Sequence, residues 1–205
     1  MSYAYSVARE GGMVHFASAG NDANTNIGYP ANLISVSAIG AMARNQTRST
    51  FSCYGEKLFL MAPGTSIYTT DRTGKLGYST SSYATVSGTS FASPYSAGVA
   101  ALMLSKNPTL APDDIESILA FTAQDLGDLG KDSNYGWGMI NSYEAVRSAA
   151  MACTCFADLD RSGVVDSGDV SLVLIDFDCV SCSMSDLDGS GIVDSGDVSL
   201  VLLSM

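Results

Sequence analysis

The chain has 205 residues, of which 46% are hydrophobic and only 15% are charged, so it is long enough for one globular domain and a small second module. Its formal net charge of −11 argues against a nucleic-acid role, since nucleic-acid binding needs a basic face. No apolar run approaches the roughly 18 residues of a membrane span, and the first residues lack the basic region and apolar core of a secretory signal, which says little if the chain is part of a longer protein.

Short apolar segments predict the strands of the first part of the chain. Residues 13–18, 33–39 and 57–61 predict strands, and residues 66–70 predict a weaker one. Clusters of Gly and Asn between them are typical of loops.

Three helices are predicted after these strands. Residues 91–104 are nearly apolar all round, which predicts a buried helix. Pro112 suits the first turn of a second helix, and Asn141 with Glu144 is typical of a capping box that begins a third. Strands that alternate with helices indicate an α/β fold with a parallel sheet.

Five short motifs follow one another along this region. They are SAGND (18–22), GYP (28–30), APGTSI (62–67), SGTSFASP (87–94) and YGWGMIN (135–141). Their order and approximate spacing resemble those of subtilisin-like serine proteases. The resemblance covers nearly all of residues 1–150, which we interpret as the C-terminal part of a subtilisin-like peptidase domain.

The resemblance implies an active site residue by residue. Ser90 matches the nucleophile, at the amino end of a helix where N–H groups and the helix dipole favour negative charge. Asn21 matches the oxyanion-hole asparagine, and the backbone N–H of Ser90 would be the second donor. The implied substrate-binding residues are Ser18, Ala19, Gly20, Asp22 and Gly28. Taken singly, Ser90 reads as a helix-packing residue and Asn21 as a turn residue; the five ordered motifs together favour the catalytic interpretation.

The base that Ser90 needs is not evident in the sequence. His15 is the only histidine, and it lies in a predicted strand, which favours a packed residue over a displaced base. In the family, the catalytic Asp and His precede the Ser along the chain, and neither of their motifs occurs here. We therefore expect that the chain is a fragment without the N-terminal half of the domain, and that these 205 residues alone lack protease activity.

Acidic residues concentrate near the end of the chain. Residues 158–205 contain ten carboxylates and a single base, Arg161, a balance of −9, whereas residues 1–157 contain eleven acids and nine bases, a balance of −2. Such asymmetry marks a separate module. We expect three parts: the peptidase-like body (1–150), a cysteine-containing linker (151–157) and an acidic tail (158–205).

The tail is an internal repeat with the spacing of a cation-binding loop. DLDRSGVVDSGDVSLVL begins at Asp158 and DLDGSGIVDSGDVSLVL at Asp186, 28 residues later, with 15 of 17 positions identical. Oxygen-bearing residues recur at loop positions 1, 3, 5, 9 and 12, Gly is at position 6, and position 7 would offer its backbone carbonyl. This is the spacing of an EF-hand loop, and it predicts two Ca²⁺ sites. The predicted ligands are Asp158, Asp160, Ser162, Val164, Asp166 and Asp169 in the first copy and Asp186, Asp188, Ser190, Ile192, Asp194 and Asp197 in the second. The alternative is a solvated acidic linker.

Each loop is followed by an apolar helix start, VSLVL, with no helix entering the loop. Loop–helix copies with Asp at position 12 resemble dockerin repeats, so the tail is expected to be a small α-helical, EF-hand-like module. Dockerins bind two Ca²⁺ and dock onto cohesin domains, so the resemblance implies a cohesin-like or cell-surface partner, although no residue here identifies it.

Four cysteines lie beside the two loops, and Cys53 lies alone in the body. The four are Cys153, Cys155, Cys179 and Cys182. They allow three disulfide pairings, or they bind Zn²⁺ through CxC and CxxC pairs. Disulfides fit better beside calcium loops, which together indicate an extracellular or cell-surface location.

Two functions of different class follow. The first is a secreted serine endopeptidase that cleaves polypeptide substrates through an acyl-serine intermediate and carries a calcium-binding tail. The alternative is an inert protease remnant that serves as a calcium-dependent binding or anchoring module.

Overall fold

The computed structural model describes residues 2–151, 167–175, 187, 192–195 and 198–199. The chain forms two compact units, Met1–Ala149 and Ala150–Met205. The helices and strands, in chain order, are α1 (Ser2–Glu10), β1 (Phe16–Ser18), β2 (Ser37–Met42), β3 (Leu58–Pro63), β4 (Ile67–Thr70), β5 (Tyr83–Val86), α2 (Thr89–Lys106), α3 (Pro112–Phe121), α4 (Ser142–Met151) and α5 (Ser167–Ile175).

The first unit is built on a parallel three-stranded sheet in the order β1-β2-β3. Ala17 pairs with Ala38 between β1 and β2, and Met61 pairs with Gly40 between β2 and β3. All six residues of β2 are buried, because a central parallel strand is covered on both faces. The mixed α/β fold with a parallel sheet is thereby confirmed.

The predicted strands differ from the observed ones in detail. The second strand begins four residues later than predicted, because the amide N–H of Leu33 donates to the Pro30 carbonyl and that of Val36 to the Leu33 carbonyl, which makes a turn there. β4 does not join the parallel sheet. It forms an antiparallel hairpin with β5, a strand that was not predicted from the sequence.

Helix α2 crosses the sheet and packs against β1, β2 and β3. One face of it, including Ala92, Val99 and Met103, is buried. The opposite face, which carries Tyr95 and Leu102, is exposed, so the prediction of a helix buried all round is wrong for this chain.

The two later helices of the body begin as their sequences predict. Pro112 is the first residue of α3, whose face of Ile115, Ile118 and Leu119 is buried. At α4 the amide N–H of Glu144 donates to Asn141 Oδ1 (3.2 Å). The Glu144 carboxylate does not complete the capping box but binds Arg147 at 2.7 Å.

Little of the second unit is described. Helix α5 lies where an apolar helix was predicted after the first tail loop. None of the helices described is both long enough and apolar enough to cross a membrane.

Candidate active site

A tight loop at the carboxyl end of β1 brings SAGND to the amino end of α2. The amide N–H of Ala19 donates to the Ile39 carbonyl (2.9 Å), which extends the sheet pairing by one residue. Gly20 then adopts a φ of +116°, and a Cβ at this position would lie 2.9 Å from Cys53 Sγ. Only glycine suits both constraints, so this turn fixes where the next residue, Asn21, begins.

Asn21 is bonded directly to the GTS motif. Its side-chain oxygen accepts hydrogen bonds from the backbone N–H and the hydroxyl of Thr89, both at 2.9 Å. Because both donors require an acceptor, the oxygen of the amide faces Thr89 and its NH₂ group is left free to donate elsewhere. That nitrogen lies 3.6 Å from where a Cβ on Gly88 would be. The donor group is therefore held beside the turn that leads to Ser90.

Thr89 closes a second link between the two segments. It is fully buried, and its hydroxyl oxygen also accepts the backbone N–H of Gly20 at 3.3 Å. Residues 20, 21 and 89 thus form one hydrogen-bonded unit. Thr89 was not identified as a site residue from the sequence, since a residue that bridges segments 68 positions apart leaves no local periodic signal.

Ser90 is the second residue of α2 and its side chain is exposed. The first turn of α2 has no acidic residue, so the partial positive charge of the helix amino end is not neutralised by its own side chains. An exposed hydroxyl, an adjacent amide donor and a helix amino end together suit a reaction in which negative charge develops on an acyl oxygen.

The remaining predicted substrate-binding residues differ in exposure. Ala19 is buried and Ser18 is exposed at the end of β1. Asp22 and Gly28 lie in the exposed loop that leaves this junction, and a Cβ on Gly28 would meet no atom within 4 Å. The junction thus unites residues 18–21 with residues 88–90, while Asp22 and Gly28 border open space.

His15 lies at the other end of β1. Its backbone carbonyl accepts the Ser37 N–H at 2.9 Å, and its ring packs edge-on against Tyr5 with centroids 5.0 Å apart. The three residues of β1 alone span roughly 10 Å, and Asn21 follows the far end. His15 is therefore a packed residue at the end of β1 opposite to the Asn21 loop.

Most of the predicted calcium ligands lie outside the described residues. Those are Asp158, Asp160, Ser162, Val164, Asp166, Asp186, Asp188, Ser190 and Asp197. Of the others, Asp169 lies in α5, and Ile192 and Asp194 are exposed. Within the described part of the chain, no three His, Cys, Asp or Glu side chains are placed to hold a metal. Cys53 is a buried free thiol, and the four predicted linker and tail cysteines lie outside the described residues.

The parallel sheet, the central helix and a serine at that helix's amino end define an α/β protein of the serine-hydrolase type. The model of the subtilase family of peptidases matches residues 1–138. The chain therefore belongs to the subtilase family of serine proteases.

Individual relatives agree with this assignment. The chain is 44% identical to Subtilisin DY of Bacillus licheniformis over 134 residues, covering 63% of this chain and 45% of that protein. It is 36% identical to Subtilisin BL of Lederbergia lenta over 147 residues, covering 72% and 51%. The solved structure of a lanthipeptide protease superimposes with a TM-score of 0.65 at 25% identity, covering 72% of this chain and 54% of that one. The chain spans about half the length of the relatives it matches.

Proposed function

We propose that this chain supplies the nucleophile and the oxyanion hole of a secreted serine endopeptidase. The observation that carries the proposal is the pair of hydrogen bonds from Thr89 to Asn21 Oδ1, which hold the Asn21 NH₂ group beside the Ser90 turn. A polypeptide carbonyl placed between them has the Asn21 side chain and the Ser90 N–H as donors for its developing negative charge.

The reaction would proceed through an acyl-serine. Ser90 Oγ attacks the carbonyl carbon while its proton passes to a histidine base, which then protonates the leaving amine as the C–N bond breaks. The same base then takes a proton from water, whose oxygen attacks the acyl carbon, and the base gives that proton to Ser90 Oγ as the ester C–O bond breaks. Since His15 lies at the other end of β1, the base and its orienting aspartate come from outside these 205 residues, and the chain alone is inactive.

A fusion tests this assignment. The segment of Subtilisin DY that precedes the matched region is joined to the full chain, and cleavage of a fluorogenic peptide is measured. Ser90→Ala should lower turnover by about 10⁶-fold and Asn21→Ala by about 10²–10³-fold, magnitudes known for this family. Ser93→Ala, one turn further along α2, serves as the control and should leave turnover unchanged. Equal turnover of the Ser90→Ala fusion, or of the unfused chain, contradicts the proposal.

We further propose that the tail is a dockerin-like module that binds two Ca²⁺ outside the cell and anchors the protein to a cohesin-like or cell-surface partner. The duplicated ligand spacing supports this, and α5 begins at Ser167, the tenth position of the first loop. If the peptidase activity fails its test, calcium-dependent anchoring on an inert body is the alternative function.

Calorimetric titration of the full chain tests the calcium sites. Two equivalents should bind, and Asp158→Asn and Asp186→Asn should each remove one. Asp128→Asn, in an exposed loop of the body, should leave both. Fewer than two sites in the unaltered chain contradicts the loop assignment. Retention on an immobilised cohesin domain with calcium, and release by EDTA, tests the partner.

A further inference from the structure

A long loop, residues 71–82, closes the hairpin of β4 and β5. Hairpin loops usually have about 2–5 residues, and longer loops on a rigid scaffold commonly carry binding or active-site residues. This loop lies shortly before α2 in the chain, and Ser90 is the second residue of that helix. Its length and its place make it a candidate for substrate binding.

The Asp71 carboxylate folds this loop back on itself. Its Oδ1 accepts the Arg72 N–H and its Oδ2 accepts the Ser79 N–H, both at 2.8 Å. A Cβ at Gly77 would clash with the same carboxylate, so only glycine lets the chain pass this close. Both Asp71 oxygens are therefore used within the loop, and they fix the backbone of Arg72 at its start.

A cavity of about 400 Å³ lies on one face of the hairpin, a volume within the range of about 300–1,000 Å³ that is usual for ligand pockets. Thr69, Ala84 and Val86 line it from the strands, and Phe91 lines it from α2. Because Phe91 directly follows the exposed Ser90 in that helix, the cavity adjoins the candidate nucleophile.

The loop adds a cation to this cavity. Arg72 and Tyr78 both line it, and both side chains are exposed. Among the described residues, the Arg72 guanidinium has no ion-pair partner, while Asp71, which also lines the cavity, is bonded to loop amides. A guanidinium presents its N–H donors in a planar fork that matches a carboxylate. The cavity therefore suits a Glu or Asp side chain, with its stem on the wall and its carboxylate on Arg72.

We propose that this cavity is a substrate subsite on the leaving-group side of the scissile bond, and that Arg72 makes it selective for a Glu or Asp side chain. The subsite rests on the proposed function, because it takes Ser90 as the nucleophile. Arg72 is then a specificity-determining residue supplied by the long loop of the hairpin.

The side of the scissile bond follows from the residues around the cavity. The loop of residues 18–22 carries Asn21, the proposed donor to the acyl oxygen, so this loop borders the acyl half of the substrate. None of residues 18–22 lines the cavity, which adjoins Ser90 through Phe91 instead. The leaving-group half of the peptide is therefore the half that reaches it.

Other side chains suit the cavity less well. A Lys or Arg side chain would meet the Arg72 cation, and the Asp71 oxygens are already bonded to the loop. A neutral side chain would leave the guanidinium without a charged partner. The selectivity should be modest and sensitive to salt, since Arg72 is exposed and exposed charge pairs are screened by water and ions.

The test uses the fusion of the Subtilisin DY segment with the full chain. Internally quenched peptides carry Glu, Gln or Lys at one of the first three positions after the scissile bond, and kcat/KM is measured for each. At one of these positions Glu should exceed Gln by about five- to tenfold, and Lys should be the poorest of the three. The preference for Glu should shrink as the salt concentration rises.

Variants of two cations in the loop identify the residue responsible. Arg72→Gln should abolish the difference between Glu and Gln peptides, and Arg72→Glu should turn the preference toward Lys. Arg72→Lys should restore part of the preference for Glu, because it keeps the charge without the planar fork. Lys75→Gln is the matched control: Lys75 is exposed in the same loop but does not line the cavity, so its loss should leave the ratio unchanged.

Binding to the unfused chain gives a second readout that needs no turnover. Short peptides with a free amino end, which mimic the leaving half of a substrate, are added to the full chain and followed by NMR. The Glu peptide should shift the signals of the Phe91 amide and of Arg72 Nε more than the Gln peptide does. Arg72→Gln should remove the difference at Phe91.

The outcomes separate this subsite from the catalytic proposal. The subsite is overturned, and the catalytic proposal stands, if an active fusion shows no preference for Glu at any position, or a preference that survives Arg72→Gln or is equally lost in Lys75→Gln. A preference for large apolar side chains that does not depend on Arg72 has the same meaning. An inactive fusion whose unfused chain shows the Arg72-dependent shifts contradicts the catalytic proposal and sustains binding of the acidic side chain. An inactive fusion without those shifts overturns both.

Discussion

Thr89 is the residue on which the geometry of the candidate site depends. Its hydroxyl donates to Asn21 and accepts from the Gly20 N–H, and it does so without contact with water. Loss of a buried polar group of this kind destabilises the fold mainly because its hydrogen-bond partners stay buried without a partner. The loop after β1 is therefore held against α2 by polar bonds in a region that is otherwise apolar.

Replacing Thr89 with Val should destabilise the full chain by about 1–3 kcal/mol, because the Gly20 N–H loses its acceptor and Asn21 Oδ1 loses one donor. Thr89→Ser is the matched control: it keeps the hydroxyl and removes one methyl group, at about 0.8 kcal/mol. Urea unfolding measures both values. A Ser variant that is as unstable as the Val variant would show that the methyl group, and not the hydrogen bonds, matters at this position.

At the scale of elements, YGWGMIN joins the last part of the body to β3. The Met61 N–H donates to the Gly138 carbonyl and the Ile140 N–H to the Met61 carbonyl, both at 2.8 Å. Gly138 has a φ of +106°, and a Cβ there would clash with the Gln124 backbone carbonyl. Glycine at position 138 is thus required by its positive φ and by the close approach of the Gln124 backbone.

A non-glycine residue with a positive φ costs about 1–3 kcal/mol through backbone strain alone. Gly138→Ala should lower the free energy of unfolding by more than this, because its Cβ also clashes with the Gln124 backbone. Gly130→Ala provides the comparison, because Gly130 also has a positive φ (+79°) but its Cβ would meet no atom within 4 Å. The difference between their unfolding free energies isolates the clash. Equal costs would mean that the Gln124 segment moves aside freely.

Helix α1 has no buried residue, and besides the packing of Tyr5 against the His15 ring it is held by charge. Arg9 binds Glu116 of α3 at 2.5 Å and also binds Asp113, while Ser37 donates to the same Glu116 carboxylate at 2.5 Å. The hydrogen bond to Glu116 raises the pKa of Arg9 above its ordinary value. Because the pKa of Arg9 is higher in the folded chain than in the unfolded chain, its contribution to stability is fully present at any pH below the unfolded pKa. Titration of Arg9 should therefore not alter the free energy of unfolding between about pH 6 and 10.

Removal of this cation should release α1. Arg9→Gln should cost about 1–3 kcal/mol, since hydrogen bonds between charged groups are lost and the Glu116 side chain, only 20% exposed, loses its cationic partner. Arg147→Gln is the control, because Arg147 and Glu144 are 38% and 35% exposed and such surface pairs contribute about 0–1 kcal/mol. Rapid amide exchange confined to α1 in the Arg9 variant alone would agree with this; equal losses in both variants would not.

How far the sequence predicts these elements depends on how local their causes are. Pro112 and Asn141 begin helices through contacts within a few residues, and both were predicted. Strand β5 was missed because its tyrosine- and threonine-containing sequence pairs only with β4, at a distance along the chain. Ser90 and Asn21 were predicted as site residues from ordered motifs, and that prediction stands as a proposal. The bridging role of Thr89 was not, because it exists only once two distant segments meet.

At the scale of the whole molecule, charge divides the chain as the compact units do. The second unit, Ala150–Met205, contains the ten carboxylates of the tail, and eight of them fall in the two proposed calcium loops. If those loops form as proposed, a bound cation would offset the repulsion between the carboxylates. The first unit is nearly balanced in charge and owes its stability to the sheet and its helices. The two units should therefore respond differently to calcium.

EDTA should lower the stability of the acidic tail and leave that of the body unchanged. If the free calcium concentration is about 100 times the dissociation constant of a folded loop, removal of the ion lowers the free energy of unfolding by about 2.7 kcal/mol per site. The cost of Thr89→Val, a change in the body, should be the same with calcium and with EDTA. Asp158→Asn should halve the EDTA effect, because one of the two loops no longer responds.

Unfolding monitored by the single tryptophan, Trp137 of the body, should not shift with EDTA, whereas unfolding monitored by far-ultraviolet circular dichroism should. A shift of the tryptophan signal that equals the shift in circular dichroism would mean that calcium stabilises the body as well, and the acidic repeat would then not be an independent module.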